Sequence, residues 1–198
     1  MTSWQNLRKP RIVSVKRGIW YVICRTSVVY ITPKRERIMI SQKLQDAING
    51  QITKEIWSAN LYLSMAFYFD KEGFNGFANW MKKQSQEEMD HAYTMANYII
   101  KRGGTARVGQ IDAVPESWNS PLEVFEKVYE HECTVSKSID DLVDIASAER
   151  DKATQDFLWS FVREQVEEEA TASGIVDRIR KMGDSAIFNL DQQYGSRQ

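Results

Sequence analysis

The chain contains four long stretches in which apolar residues recur at the three- and four-residue spacing of an amphipathic α-helix. In the first stretch, Leu44, Ile48 and Ile52 fall on one stripe. Ser41 and Ser120 are suitable N-caps, and glycines follow the second and fourth stretches. The pattern predicts helices over residues 41–70, 77–102, 121–148 and 152–181, and a short fifth helix over 184–193.

The lengths of the connections predict how these helices are arranged. The turns after the first and third helices are short, so each of these helices forms an antiparallel hairpin with the helix that follows it. Residues 103–120 lack helical periodicity and can reach about 55 Å when extended, whereas each helix is roughly 40 Å long. This segment can therefore return along the whole bundle, which makes the second and third helices parallel. We predict an all-α fold, a four-helix bundle with one long crossover between helices two and three.

Each of the four long predicted helices also carries acidic or amide side chains at mid-helix positions where its stripe predicts apolar residues. Glu55 lies between Ile52 and Ala59 on the first stripe, and Glu88 with His91 forms a Glu-x-x-His pair on the second. Middle positions of antiparallel helices meet at the same level of a bundle. In chain order the set is Glu55, Glu88, His91, Glu132, Glu164, Gln165 and Glu168.

A layer of buried carboxylates is unfavourable unless something offsets its charge. Carboxylates without partners lose their hydration and repel one another. A pair of divalent or trivalent cations removes that penalty, and carboxylates with one imidazole suit iron or manganese better than a metal that prefers thiolates. Glu88 and His91 project from nearly the same helix face, so both can bind one ion. Any one of these motifs is also typical of a solvated helix face, but mid-helix acids on all four helices together favour a di-metal site.

Two further residues near this level have more than one interpretation. Tyr62 lies seven residues after Glu55 and shares its face, so it is either a core aromatic residue or part of the site. His131 is the neighbour of Glu132 but is turned about 100° from it around the helix. We therefore expect His131 to be an ordinary polar residue.

The charge distribution divides the chain at residue 38. Residues 1–38 carry nine Lys/Arg and one acid, a balance of +8, whereas residues 39–198 carry a balance of −9. The two cysteines, Cys24 and Cys133, lack a metal-ligand spacing and favour a reducing compartment, so we expect a cytoplasmic protein. No apolar run reaches the roughly 18 residues of a membrane helix. We expect neither a membrane nor a nucleic acid as a partner.

Residues 39–198 resemble the non-haem bacterial ferritins over essentially their full length. The motifs ITKEIWSANLYL, SQEEMDHAY, YEHE and REQVEEE carry the resemblance. It implies a ferroxidase that oxidises Fe(II) with dioxygen or hydrogen peroxide and stores ferric mineral inside a hollow homo-oligomer of twenty-four subunits. The fifth helix is similar to the one that such cages have at their fourfold axes. The alternative function is a discrete di-iron oxidase or peroxidase that acts on a small molecule and forms no cage.

The resemblance also implies roles for individual residues. The implied ligands of the first iron are Glu55, Glu88 and His91, and those of the second are Glu88, Glu132 and Glu168, with Gln165 close by. A third, inner iron position is implied for Glu87, Glu164 and Glu167, which share Glu168 with the di-iron centre. Tyr62 matches the family's tyrosine beside the two irons and is the implied electron donor.

Two features depart from relatives of this family. Bacterioferritins carry a second Glu-x-x-His in the fourth helix, where this chain has Gln165-x-x-Glu168, so we expect no haem. Residues 1–38 match nothing in the family, and Met39-Ile40-Ser41 is similar to a normal family start. The extension is an upstream translation that the native protein lacks, a targeting peptide or a basic arm. We expect it to be disordered or absent from the native protein.

Overall fold

The computed structural model describes residues 11–16, 19–24, 27–31, 39–183 and 187–195. The chain divides into two compact units, Met1–Ile38 and Met39–Gln198, and the division falls where the charge balance changes sign. All of the described helices belong to the larger unit. Within the described residues, no helix is both long enough and apolar enough to cross a lipid bilayer.

The described part of residues 1–38 contains three β-strands. Strands β1 (Arg11–Lys16), β2 (Ile19–Cys24) and β3 (Ser27–Ile31) form an antiparallel sheet with β2 in the middle. The strands are rich in Val, Ile and Tyr, which favour the pleated backbone. That residues 1–38 are disordered or absent from the native protein stays a prediction.

In the described residues of the larger unit, five α-helices lie at the positions that the apolar spacing predicts. They are α1 (Gln42–Glu72), α2 (Asn75–Lys101), α3 (Pro121–Ala148), α4 (Lys152–Met182) and α5 (Ile187–Gly195). The predicted all-α bundle with a short fifth helix is confirmed for this unit. Residues 184–186, the start of the predicted fifth helix, lie outside the described residues.

Serine side chains cap the starts of α1 and α3, and a glycine ends α1. Ser41 and Ser120 both accept a hydrogen bond from a backbone N–H in the first turn of the helix that follows. Gly73 ends α1 with a φ of 83°, a left-handed conformation that favours glycine. The turn to α2 needs only Gly73 and Phe74, so α2 begins two residues earlier than its pattern predicts.

Contacts between helix ends show that α2 and α3 run parallel. The Ile40 N–H donates to the Arg102 carbonyl at 3.1 Å, which joins the start of α1 to the end of α2. Arg102 also forms an ion pair of 2.8 Å with Asp151, the N-cap of α4. The Ser41 hydroxyl donates to Glu149, which caps the end of α3. One end of the bundle therefore holds the start of α1, the ends of α2 and α3 and the start of α4, as the long crossover predicts.

The crossover, residues 103–120, runs along α1. Its backbone N–H groups donate in turn to side chains on successive turns of that helix: Thr105 to Gln45, Arg107 to Asn49 and Gly109 to Thr53, at 2.8, 2.7 and 2.9 Å. These bonds give donors partners that a segment without its own helix would otherwise leave to water. The crossover is thus attached to the helix that carries Glu55.

The core of the bundle consists of two apolar clusters, one on either side of a polar layer. On each of the four long helices, residues of one cluster precede the mid-helix polar positions and residues of the other follow them. One cluster includes Phe69, Phe77 and Phe125, and the other includes Leu44 and Ile99. A fully buried side chain of this size contributes about 1.5–3 kcal/mol of transfer free energy. Packing on both sides therefore fixes the level at which the polar side chains meet.

Helix α5 docks on the start of α2. Phe74, the N-cap of α2, supplies no side-chain hydrogen bond to the first turn; instead Asp191 Oδ1 of α5 accepts a hydrogen bond from the Phe77 N–H at 2.7 Å. Gly76 allows this close approach, because a Cβ at that position would overlap the carbonyl of Asp191. The helical pattern of either segment does not predict the contact between them.

Candidate metal centre

The structure brings the predicted mid-helix side chains to one level of the bundle. The contributing residues are Glu55 from α1, Glu88 and His91 from α2, Glu132 from α3, and Gln165 and Glu168 from α4. The side chains of Glu55, Glu88 and Glu132 are only 1%, 4% and 1% exposed. Glutamate is almost never fully buried unless it is paired, so this layer needs partners for its charge.

Glu55, Glu88 and His91 form the tightest group in this layer. One ligand atom from each lies within 4.8 Å of the others. Glu55 Oε2 and Glu88 Oε2 are buried and have no hydrogen-bond partner. His91 Nδ1 lies 3.6 Å from Glu88 Oε2, which is too long for a hydrogen bond, and His91 Nε2 lies 3.2 Å from Glu164 Oε1. A cation between the two bare oxygens would offset their desolvation, so the donor set fits a metal ion.

Burial and repulsion raise the pKa values of the carboxyl groups in the layer. Burial, followed by the charge of Glu88, raises the pKa of Glu55 from 4.5 to about 8. Burial is also the main cause that raises the pKa of Glu88 and of Glu132. Burial opposes the charged form of His91, but the nearby carboxylates of Glu164 and Glu88 outweigh burial and raise its pKa to about 11. The metal-free group therefore holds protons at neutral pH, and a cation must displace them to bind.

Glu132 belongs to a second part of the layer, in which both carboxylate oxygens have donors. The Tyr62 hydroxyl donates to Glu132 Oε1, and Gln165 Nε2 donates to Glu132 Oε2 at 3.0 Å. Tyr62 is fully buried, and its burial and the charge of Glu132 raise its pKa. Its ring meets Trp80 edge-on, with centroids 6.5 Å apart. Packing and hydrogen bonding thus hold the phenol next to the acids.

The remaining predicted acids lie between the layer and solvent. Glu168 is half-buried, and its Oε2 accepts a hydrogen bond from Gln84 Nε2 at 3.2 Å. Glu87 is also half-buried, whereas Glu164 and Glu167 are exposed. Glu164 is 46% exposed although it reaches His91. Exposure therefore increases from Glu55 and Glu88 through Glu168 and Glu87 to Glu164 and Glu167.

His131 lies outside the three-residue group although it follows Glu130 and precedes Glu132. Its Nε2 is 2.8 Å from Ser58 Oγ, and its ring centroid is 5.6 Å from that of Trp57. Burial lowers its pKa to about 4, so the imidazole is neutral at pH 7. This arrangement agrees with the ordinary polar role that its position on the helix predicts.

Two buried glutamines support the acids, and the sequence analysis did not identify them. Gln51 Nε2 donates to Glu55 Oε1 at 2.8 Å, and Gln84 Nε2 donates to Glu168. They are 2% and 1% exposed. Gln51 precedes Glu55 by four residues, and Gln84 precedes Glu88 by four. Each glutamine therefore lies on the buried stripe of its helix, one turn before Glu55 or Glu88. That position is the sequence signal that could have identified the two glutamines.

A crossover four-helix bundle with Glu and Glu-x-x-His side chains on its inner faces defines the ferritin-like class of metal-binding bundles. The model of the Ferritin-like domain family matches residues 45–182 of this chain. The chain therefore belongs to the ferritin family, and the predicted resemblance is confirmed.

Relatives cover the larger unit nearly completely. The chain is 71% identical over 159 residues to a bacterial non-heme ferritin of Bacteroides fragilis (strain 638R), covering 80% of this chain and 100% of that protein. It is 36% identical over 156 residues to one from Campylobacter jejuni, covering 78% of this chain and 93% of that protein. Among solved structures, an open pore ferritin from the archaeon Archaeoglobus fulgidus matches with a TM-score of 0.79 and 48% identity, covering 80% of this chain and 99% of that chain.

Proposed function

We propose that this protein oxidises Fe(II) at a di-iron ferroxidase centre and stores the ferric product as mineral. The observation that carries the proposal is the pair of buried oxygens without donors, Glu55 Oε2 and Glu88 Oε2, beside the imidazole of His91. Carboxylates and imidazole are ligands that iron accepts. Similarity to proteins named bacterial non-heme ferritins supports the same assignment. Fe(II) is the substrate, and dioxygen or hydrogen peroxide takes up its electrons.

The protein's contribution to this reaction is to hold two irons close together in a buried layer. The proposed ligands are Glu55, Glu88 and His91 for the first iron, and Glu88, Glu132 and Glu168 for the second, with Gln165 close by. Glu88 is the side chain proposed to bridge the two. Glu55 and His91 give up their protons as they become ligands, so binding releases protons to solvent.

Tyr62 is the proposed electron donor of the centre. Its hydroxyl already donates to Glu132, and its raised pKa keeps the phenol protonated at neutral pH. When the phenol loses an electron to the oxidant, its acidity rises sharply, and Glu132 is in place to accept the proton. The phenol is therefore positioned to give up an electron and a proton without a large rearrangement.

The more exposed acids are proposed to form a third iron position. Glu164, Glu167 and Glu87 would share Glu168 with the di-iron centre. Their increasing exposure supports a path for ions between the buried layer and the surface of the bundle on that side. Like-charged side chains along such a path attract cations and raise their local concentration.

Storage requires an assembly, and we propose a homo-oligomeric cage of twenty-four subunits in the cytoplasm. Several large apolar side chains are exposed on the single chain, among them Phe67 on α1, Val108 on the crossover and Phe188 on α5. Apolar surface of this kind is typical of faces that bind other subunits. The similarity to solved ferritins supports the same assembly.

Replacement of the proposed bridge tests the ferroxidase assignment. In Glu88→Ala, Fe(II) oxidation, followed by the absorbance of the ferric product, should fall by orders of magnitude because no side chain joins the two irons. The sedimentation mass of the assembly should stay unchanged. Glu130→Ala is the matched control, because Glu130 is an exposed acid on α3 away from the layer. A Glu88→Ala protein that oxidises Fe(II) at the unsubstituted rate would contradict the proposal.

A further inference from the structure

We propose that Lys54, Ser138 and Gln51 form a positioning chain that leaves Glu55 a single oxygen for the metal. The inference rests on the proposed function, because the chain acts through Glu55 at the same centre. None of the three residues belongs to the proposed ligand set. They are positioning residues, since they reach the metal only through the carboxylate that they hold.

The chain is continuous from the surface to the buried layer. Lys54 Nζ donates to Ser138 Oγ at 2.6 Å, Ser138 Oγ donates to Gln51 Oε1 at 2.5 Å, and Gln51 Nε2 donates to Glu55 Oε1 at 2.8 Å. Lys54 is exposed, whereas Ser138 and Gln51 are buried. The chain also crosses between helices, because Ser138 lies on α3 and the other members lie on α1.

Lys54 favours one direction for the hydrogen bonds of the chain. An ammonium group only donates, so Ser138 Oγ accepts from Lys54 with one lone pair, and its own hydrogen goes to Gln51 Oε1. The Gln51 carbonyl therefore faces Ser138, and its NH2 group faces Glu55. Without this constraint a buried amide could turn by 180° and present its carbonyl to the carboxylate.

The direction of the amide decides which oxygen of Glu55 is available. Oε1 already has a donor, whereas Oε2 is buried without one, and the Glu55 carboxylate belongs to the group with Glu88 and His91. A reversed Gln51 would place two oxygens against each other, and only a proton on Glu55 could join them. That proton would compete with a cation. The observed direction therefore keeps Glu55 ready to bind through one oxygen.

A Co(II) titration of metal-free, full-length protein under anaerobic conditions tests this role, with the d–d absorbance of Co(II) as the readout. Gln51→Leu removes the donor to Oε1, and we expect the first Co(II) to bind about ten-fold more weakly, with an altered d–d spectrum. Gln45→Leu is the matched control. Gln45 is also a buried glutamine of α1, but its Oε1 accepts from the Thr105 N–H in the crossover. We expect Gln45→Leu to lower the melting temperature and leave Co(II) binding unchanged.

The link through Ser138 provides a second, independent variant. Ser138→Ala frees the amide to turn and should weaken the first Co(II) by less than Gln51→Leu does. Ser138→Thr keeps the hydroxyl and should restore binding. Because both residues act through one contact, the double variant should bind no more weakly than Gln51→Leu alone. Ser138→Ala removes only a hydroxyl group and therefore disturbs the fold less than Gln51→Leu does. If Gln51→Leu does not fold, Co(II) binding by Ser138→Ala tests the positioning role instead.

The outcomes separate this inference from the proposed function. Unchanged Co(II) affinity and an unchanged spectrum in Gln51→Leu would overturn the positioning role. If Gln51→Leu does not fold, the same result in Ser138→Ala would overturn it. An equal loss of Co(II) affinity in Gln45→Leu, or additive losses in the double variant, would overturn it as well. Glu88→Ala is titrated in parallel. If it binds Co(II) as well as the unsubstituted protein, the metal centre itself is wrong. If it loses Co(II) while Gln51→Leu does not, only the positioning role fails.

Discussion

Glu55 and Glu132 are equally buried, yet their carboxylate oxygens differ in how they are satisfied. Tyr62 and Gln165 donate to the two oxygens of Glu132. Glu55 has one donor, and its Oε2, like Oε2 of Glu88, has none. A buried polar atom without a partner costs about 1–3 kcal/mol. The two oxygens without donors, on Glu55 and Glu88, therefore destabilise the metal-free protein and are the atoms that a bound metal ion would satisfy.

Conversion of this acid to an amide should stabilise the metal-free protein. In Glu55→Gln the new NH2 group can donate to Glu88 while the carbonyl keeps its bond from Gln51. Above the Glu55 pKa of about 8, where the unsubstituted carboxyl has lost its proton, we expect the free energy of unfolding to rise by about 1–3 kcal/mol. Guanidinium unfolding with a chelator present measures this change, and Co(II) binding should weaken. Glu132→Gln should gain less, because no oxygen of Glu132 lacks a donor. Equal gains in the two variants would contradict the explanation.

The stability of the metal-free protein should fall as pH rises from 6.5 to 8. In this window Glu55, with a folded pKa of about 8 against 4.5, and His91, with about 11 against 6.5, hold protons that the unfolded chain has released. Since the folded state binds more protons, raising the pH favours unfolding, by on the order of 2 kcal/mol. His131, whose folded pKa of about 4 lies below its ordinary 6.5, acts in the opposite direction, but it adds less than about 0.5 kcal/mol of stability over this window.

Denaturation of chelator-treated protein across this window checks the prediction. Glu55→Gln removes one titrating group and should flatten the dependence. Metal-loaded protein should behave differently, because a cation displaces the same protons and binds more tightly as pH rises. A metal-free protein whose stability rises between pH 6.5 and 8 would contradict the assigned protonation states.

At the scale of elements, the contact between α5 and α2 depends on one carboxylate side chain and on one glycine, which has no side chain. Asp191 supplies the cap that the start of α2 lacks, and Gly76 provides the space for it. Ile187 and Leu190 of α5 add to one of the two apolar clusters of the bundle. The fifth helix is thus part of the packing on one side of the acid layer.

Two glycine substitutions should have opposite effects on stability. Gly76→Ala places a Cβ against the Asp191 carbonyl, so α5 must move and the Asp191 cap is lost, at a cost of about 1 kcal/mol or more. Gly50→Ala is the control, because Gly50 lies in α1 with no atom within 4 Å of the added Cβ, and it should gain about 0.5–1 kcal/mol. Thermal unfolding measures both, and hydrogen exchange should show faster opening of α5 only in Gly76→Ala. Equal stability of the two variants would contradict the dock.

At the scale of the whole molecule, the family relationship concerns the larger unit. The family model begins at residue 45, and 159 of the 198 residues cover the full length of the Bacteroides fragilis relative. The units 1–38 and 39–198 are compact separately. The proposed ligands, both apolar clusters and the crossover all belong to residues 39–198.

A protein that starts at Met39 should therefore assemble, melt and oxidise Fe(II) like the full chain. The physical reason is that the proposed ligands and both described apolar clusters lie within residues 39–198. Sedimentation mass, melting temperature and the rate of ferric absorbance increase measure the three properties side by side. Intact mass of protein from the native source should show the same start or one close to it. Dissociation of the shortened protein would show that residues 1–38 are structural.

The sequence by itself determined the features that depend on local periodicity. The four apolar stripes, the acids at mid-helix on each, and a crossover long enough to return along the bundle predict the fold and bring Glu55, Glu88 and His91 together. These predictions hold because side chains three or four apart share a helix face whatever packs against it. The resemblance then supplied the proposed division of the acids between irons.

Only the tertiary structure decided which polar atoms meet across elements. Ser138 joins Gln51 over 87 positions of the chain, and Asp191 caps α2 over 114, so no helical period connects either pair. The same holds for Glu132, whose two donors come from α1 and α4, whereas the donor to Glu55 lies four residues away on its own helix. The free energy of a buried charge depends on the few atoms that contact it, and packing brings those atoms together.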